Sequence, residues 1–131
     1  MKVFIAKDAG YCFGVRDAVN MAYDTAAEDG EVYMLGTIVH NEHVIEKLGK
    51  AGAKVVDTIA EVPDGKTLLF RAHGTAPEIW KDAKEKNIKL VDGTCPLVTE
   101  IHHEITLLEK EGRKAIIIGD HGHDEVVAIA A

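Results

Sequence analysis

Apolar positions along this chain follow two alternating periods. Val3-Phe4-Ile5-Ala6 is a short β-rich run. Val15, Ala18, Val19, Ala22 and Ala26 then recur at near-helical spacing, and Gly30 stands where a helix ends in a left-handed residue. Val32-Tyr33-Met34-Leu35 predicts the next strand. Asn41 is placed to cap a helix that carries Val44, Ile45 and Leu48 on one face and stops at Gly52. Lys54-Val55-Val56 is a short run suited to a sheet edge, Pro63-Asp64-Gly65 is a turn, and Thr67-Leu68-Leu69-Phe70 is another strand. Pro77 suits the first turn of a helix that packs Ile79, Trp80 and Ala83. Lys89-Leu90-Val91 predicts a strand. Pro96 then opens a long helix with Leu97, Val98, Ile101, Ile105 and Leu108 inward, ended by Gly112. Ala115-Ile116-Ile117-Ile118 has the continuous apolar character of a strand buried on both faces.

Strands alternating with helices of this length predict an α/β fold, a mostly parallel sheet with flanking helices. A weak break at Cys95-Pro96 divides the chain into a first α/β lobe over residues 1–95 and the start of a second over 96–131.

Composition narrows the function classes. The chain has 131 residues, one domain's worth of length, and a formal net charge of −7. No apolar run approaches the ~20 residues of a membrane span. The acidic balance argues against nucleic acid. Two cysteines are too few for a disulfide scaffold, and no targeting pattern opens the chain. The expectation is a cytoplasmic protein with reduced thiols, away from membranes.

The reactive residues fall in register with the strands. The loops after the five main predicted strands are Gly10-Tyr11-Cys12-Phe13-Gly14, Gly36-Thr37-Ile38-Val39-His40-Asn41, Arg71-Ala72-His73-Gly74, Asp92-Gly93-Thr94-Cys95-Pro96 and Gly119-Asp120-His121-Gly122-His123-Asp124-Glu125. Parallel α/β sheets bind ligands at the carboxyl ends of their strands. This register therefore brings Cys12, Cys95, His40, His73 and His123 toward one edge. Cys12 and Cys95 each stand at a predicted helix start, where the dipole favours a thiolate, and such thiolates suit a metal or an iron–sulfur centre. The plain account of either cysteine is a small buried apolar filler. His40, His73 and His123 suit an anion clamp built with helix N-terminal N–H groups, or else are solvated loop histidines. His43, His102 and His103 fall inside predicted helices and are assigned structural or solvated roles; His121 fits either account. Glu125 lies two residues after His123, so an extended segment would point both side chains the same way, and Glu125 would then suit proton relay; a surface Glu fits the sequence equally well. Asp8, Asp92 and Asp120 fit helix caps.

Taken in order, these loops, together with Thr94-Cys95-Pro96-Leu97-Val98 and His123-Asp124-Glu125-Val126, resemble the 4-hydroxy-3-methylbut-2-enyl diphosphate reductase family of the non-mevalonate isoprenoid pathway. The resemblance runs along essentially the whole chain. It implies reductive removal of an allylic hydroxyl, with two electrons and protons, to give isopentenyl and dimethylallyl diphosphate. It implies a [4Fe–4S] cluster held by three cysteines, with Cys12 and Cys95 as the first two. His40, His73 and His123 would hold the diphosphate, Glu125 would supply protons, and a ferredoxin- or flavodoxin-type protein would supply electrons.

Two departures stand out. The family usually has Pro between its last His and Glu, where this chain has Asp124. Members of the family are also longer, with three α/β lobes; the third cysteine, a relay threonine and a Ser-x-Asn segment have no counterpart here. The expectation is the N-terminal part of such an enzyme, the first lobe and the start of the second, inactive alone. The alternatives are a non-catalytic, diphosphate-binding remnant and a zinc site built from Cys12, Cys95 and two histidines. Isolated cysteines are unlike the paired ones of structural zinc.

Overall fold

The computed structural model describes residues 1–7 and 9–131, so Asp8 lies outside the described residues. Four strands form one parallel sheet: β1 (Val32–Leu35), β2 (Ala53–Val56), β3 (Thr67–Phe70) and β4 (Lys89–Asp92). Their spatial order is β2-β1-β3-β4. The central strands β1 and β3 are buried at every position, which is why their sequences are almost wholly apolar, the buried Thr67 donating its hydroxyl to Asp29. The edge strands β2 and β4 carry exposed residues.

Among the described residues, five α-helices accompany the sheet: α1 (Phe13–Asp29), α2 (Glu42–Lys50), α3 (Pro77–Glu85), α4 (Pro96–Lys110) and α5 (Asp124–Ala130), with a short 3-10 turn at Ile59–Glu61. Strand alternation sorts the core into two layers. On one face, Val32, Met34 and Leu69 pack with Ala18, Ala22 and Ala26 of α1 and Leu48 of α2. On the other, Tyr33, Leu35, Leu68 and Phe70 pack with Val62 and with Ala83 of α3. Trp80 meets the Phe70 ring edge-on, with centroids 4.7 Å apart. Full burial of a side chain such as Phe70, Met34 or Leu68 contributes about 1.5–3 kcal/mol.

Most boundaries follow from local chemistry. The side chain of Asn41 accepts the Val44 N–H at 3.3 Å and starts α2. Pro77 and Pro96 occupy the first turns of α3 and α4, where a missing N–H costs nothing. α1 stops at Gly30.

Three expectations fail. Val3–Ala6 is not a strand; Val3, Phe4 and Ile5 are 71–89% exposed. Ala115–Ile118 is not a strand either, and Ile116 and Ile118 are exposed. Both segments have strand composition, but a strand needs a partner ladder, and no described residue pairs with them. The apolar face of α4 is likewise largely uncovered: Val98 is buried, whereas Leu97 and Ile101 are exposed.

Candidate functional site

Sheet topology creates the site. From β1 the chain moves outward to β2, then crosses to β3 on the other side of β1. The strand order therefore reverses between β1 and β3, and loops diverge at their carboxyl ends. The loop after β1 ends in His40, and the loop after β3 carries His73. Their ring centroids are 5.8 Å apart. His123 stands on the other side of His73, also at 5.8 Å, with the rings nearly perpendicular. The three histidines expected to converge do so, with His73 at the centre.

The two cysteines arrive by helix starts. Cys12 is the N-cap of α1 and Cys95 the N-cap of α4, and both thiols are free. Cys12 is exposed and Cys95 half-buried. The Cys95 sulfur lies against the first turn of α1: a Cβ added to Gly14 would be 2.6 Å from Sγ. The Cys95 N–H donates to the Ala72 carbonyl at 3.0 Å. That bond ties the cysteine loop to the residue preceding His73. The thiols and imidazoles thus share one end of the sheet, although Cys12 and His123 follow no strand.

His73 is half-buried, and its Nδ1 is enclosed without a hydrogen-bond partner among the described residues. Burial pushes its pKa below the usual histidine value. Arg71, His40 and His123 push the same way, and the Glu125 carboxylate opposes them. Burial thus disfavours the charged imidazolium at the centre of the three rings.

The His123–Glu125 segment is not extended. His123 caps α5, Asp124 and Glu125 form its first turn, and His123 Nδ1 accepts the Glu125 N–H at 3.3 Å. The expected same-side alignment from strand geometry therefore does not apply. Helix formation folds the pair together instead, and Glu125 remains close enough for its charge to act on His73. Arg71 was missed as part of this site. Its guanidinium crosses Gly36, where a Cβ would meet Nη1 at 2.6 Å, and bonds Asp124 Oδ2 at 2.5 Å. Gly36 has φ of 71°, so its lack of a side chain serves both the turn and the arginine's passage.

The remaining candidates divide. His43, His103 and His121 are exposed. His102, assigned to structure or solvent, has a buried Nε2 without a partner beside Gly74. It lines a small cavity of about 110 Å³ with Thr75, Trp80, Asp92 and Thr94. Asp92 caps a turn rather than a helix: Oδ1 accepts from the N–H of Thr94 at 3.0 Å and from its hydroxyl. Asp120 is exposed, and its carbonyl accepts the His123 N–H. Among the described residues, no three His, Cys, Asp or Glu side chains come close enough to hold one metal ion, so the zinc site drawn from both cysteines and two histidines is not assembled.

Fold and site together define a parallel α/β domain that gathers thiols and imidazoles at the switch point of its sheet. The chain belongs to the LytB protein family, whose model matches residues 3–131. It is 40% identical over 130 residues to the 4-hydroxy-3-methylbut-2-enyl diphosphate reductase of Clostridioides difficile (strain 630), covering 98% of this chain and 47% of that protein. It is 41% identical over 130 residues to 4-hydroxy-3-methylbut-2-enyl diphosphate reductase 2 of Mycobacterium tuberculosis (strain H37Rv), covering 98% and 39%. The solved E-1-hydroxy-2-methyl-but-2-enyl-4-diphosphate reductase from Plasmodium falciparum superposes with a TM-score of 0.90 at 35% identity, over 94% of this chain and 39% of that one. A second solved structure, titled as the terminal enzyme of the non-mevalonate pathway, gives 0.86 at 34% identity, over 98% and 46%. The chain thus spans less than half the length of these relatives. No described helix is long and apolar enough to cross a membrane.

Proposed function

We propose that this chain forms the cluster-and-diphosphate half of a 4-hydroxy-3-methylbut-2-enyl diphosphate reductase. The reaction removes the allylic hydroxyl as water, using two electrons and protons, and yields isopentenyl and dimethylallyl diphosphate. The carrying observation is the convergence of His40, His73 and His123 at the end of the sheet that also holds Cys12 and Cys95.

The donor set fits a [4Fe–4S] cluster in part. Cys12 and Cys95 are soft, unpaired thiols at the starts of long helices. They would supply two of the three cysteine ligands that the resemblance implies. When bound, the cluster supplies electrons and a Lewis-acid iron for the leaving oxygen. The chain's own residues do the rest. His73, flanked by His40 and His123, takes the diphosphate oxygens as N–H donors. Burial raises the worth of each such bond. The Glu125 carboxyl lies beside this cluster of imidazoles and would pass protons toward the departing hydroxyl.

Residues 1–95 are taken as the first lobe and 96–131 as the start of the second. In support, both core layers end before Pro96, with Cys95 the last residue packed against them. The partners that fit are an allylic diphosphate and a ferredoxin- or flavodoxin-type donor. Two free thiols suit a reducing cytoplasm.

Calorimetric titration with inorganic pyrophosphate tests the anion half of the reading. His73→Asn and His123→Asn are each expected to weaken binding about tenfold or more, the scale of a charge-assisted hydrogen bond. Unchanged affinity in both variants would remove the clamp.

A further inference from the structure

We propose that Arg71 and Asp124 are positioning residues whose ion pair fixes the His123–Glu125 turn against the carboxyl end of β3. The inference rests on the assignment of His123 and Glu125 to the site, and adds how this chain holds them there.

The pair joins residues 53 apart in sequence, with Arg71 Nη1 2.5 Å from Asp124 Oδ2. The two side chains are 24% and 38% exposed, so water screens this pair less than a fully exposed one. The Arg71 guanidinium lies over Gly36, which has no side chain to obstruct it. On the other side, Asp124 is the first residue of α5, between the two side chains that need placing. Local structure holds that turn lightly. α5 has 7 residues, and the N-cap contact from the Glu125 N–H to His123 Nδ1 is 3.3 Å long. Ala128, near the far end of α5, is buried beside Gly74, and an ion pair to the end of the central strand β3 adds a long-range restraint at the first turn itself. The turn so held also sets the proton position on His123. Nδ1 accepts from the backbone, so the neutral ring carries its hydrogen on Nε2.

A negative charge beside an anion site would ordinarily weaken binding. Asp124 therefore gives the proposal a test by sign. If Asp124 acts through position, Asp124→Asn weakens inorganic pyrophosphate binding about three- to tenfold, as a side chain is freed that must be ordered again. If it acts only as a repelling charge, the same variant binds more tightly.

A second variant separates restraint from charge. Asp124 is at the first helical position, where proline is favoured, and His123 has φ of −64° and ψ of 131°, which a following proline accepts. Asp124→Pro fixes the turn through the backbone without Arg71, and is expected to restore wild-type affinity within about twofold. Arg71→Lys keeps the charge and is expected to retain part of the affinity, whereas Arg71→Ala behaves like Asp124→Asn.

Nitrogen-15 NMR of the His123 ring is the companion readout and needs no ligand. Wild type and Asp124→Pro should show the Nε2–H form, and Asp124→Asn a mixture of tautomers. Tighter pyrophosphate binding by Asp124→Asn, or a His123 ring indifferent to all these substitutions, overturns the proposal. Absence of pyrophosphate binding in the wild type would instead count against the anion clamp, and the tautomer would still decide the role of the pair.

Discussion

The sulfur of Cys95 occupies the space that a side chain at Gly14 would need: an added Cβ would lie 2.6 Å from Sγ and 3.0 Å from the cysteine Cβ. Helix α4 thereby delivers its N-cap thiol onto the first turn of α1, against a residue two positions after the N-cap Cys12. Two helices from different parts of the sequence present their positive ends, each with a cysteine, at the same place.

This contact sets two effects against each other in Gly14→Ala. Helix propensity alone favours alanine by about 1 kcal/mol. The contact requires Cys95 to move, and both its sulfur and its Cβ are in the way. We expect the protein to fold with at least wild-type helix content by circular dichroism but to lose most of its capacity to take up iron and sulfide. Wild-type loading of Gly14→Ala would show that the contact is incidental.

Stability should fall in two stages on acidification. Burial, joined by nearby Arg71, His40 and His123, lowers the His73 pKa below its usual 6.5 against the pull of Glu125. Above pH 6.5 neither folded nor unfolded chain holds that proton, so His73 is neutral in its effect. Below it the unfolded chain binds a proton that the folded chain resists, and stability is lost as the pH falls through the folded-state value. Glu31 behaves as a paired acid, lowered from 4.5 to about 2 by Lys54 and then Lys66. Asp29 is lowered by the Thr67 hydroxyl and by Lys89. Their contribution is intact above the ordinary carboxylate range and is lost below it, for Glu31 between pH 4.5 and about 2. Urea unfolding at a series of pH values should show both stages, and His73→Asn should abolish only the upper one.

Glu125→Gln should separate binding from chemistry. Removing the carboxylate leaves the three imidazoles in place and takes away a repelling charge, so pyrophosphate should bind no more weakly than to wild type. It also removes the one neighbour that raises the His73 pKa, so the His73 proton resonances should titrate at lower pH. In the complete enzyme, turnover should fall about 10²–10⁴-fold, the range of a lost general acid. Normal turnover would assign proton delivery to another group.

The sheet was legible in the sequence because β1 and β3 are buried on both faces and so are almost wholly apolar. Helix starts were legible because Asn41, Pro77 and Pro96 act locally. The same apolar composition misled at Val3–Ala6 and Ala115–Ile118, because strand pairing depends on partners that composition does not name. Of the site, the five Cys and His positions were legible as residues following Gly-containing turns. Arg71 was not, since its reach to Asp124 depends on the bare backbone of Gly36 in a separate loop. The short helix α5 was also missed. Its seven residues are too few for a period to emerge, and His123 is an unusual cap.

Anaerobic reconstitution with iron and sulfide, on the complete reductase that includes this chain beside its Cys12→Ser and Cys95→Ser variants, tests the central claim most directly. The account predicts a brown wild-type protein with iron and acid-labile sulfide in equal amounts, and loss of that colour in both variants. A colourless wild type holding one zinc ion, or a cluster that survives both substitutions, would contradict it.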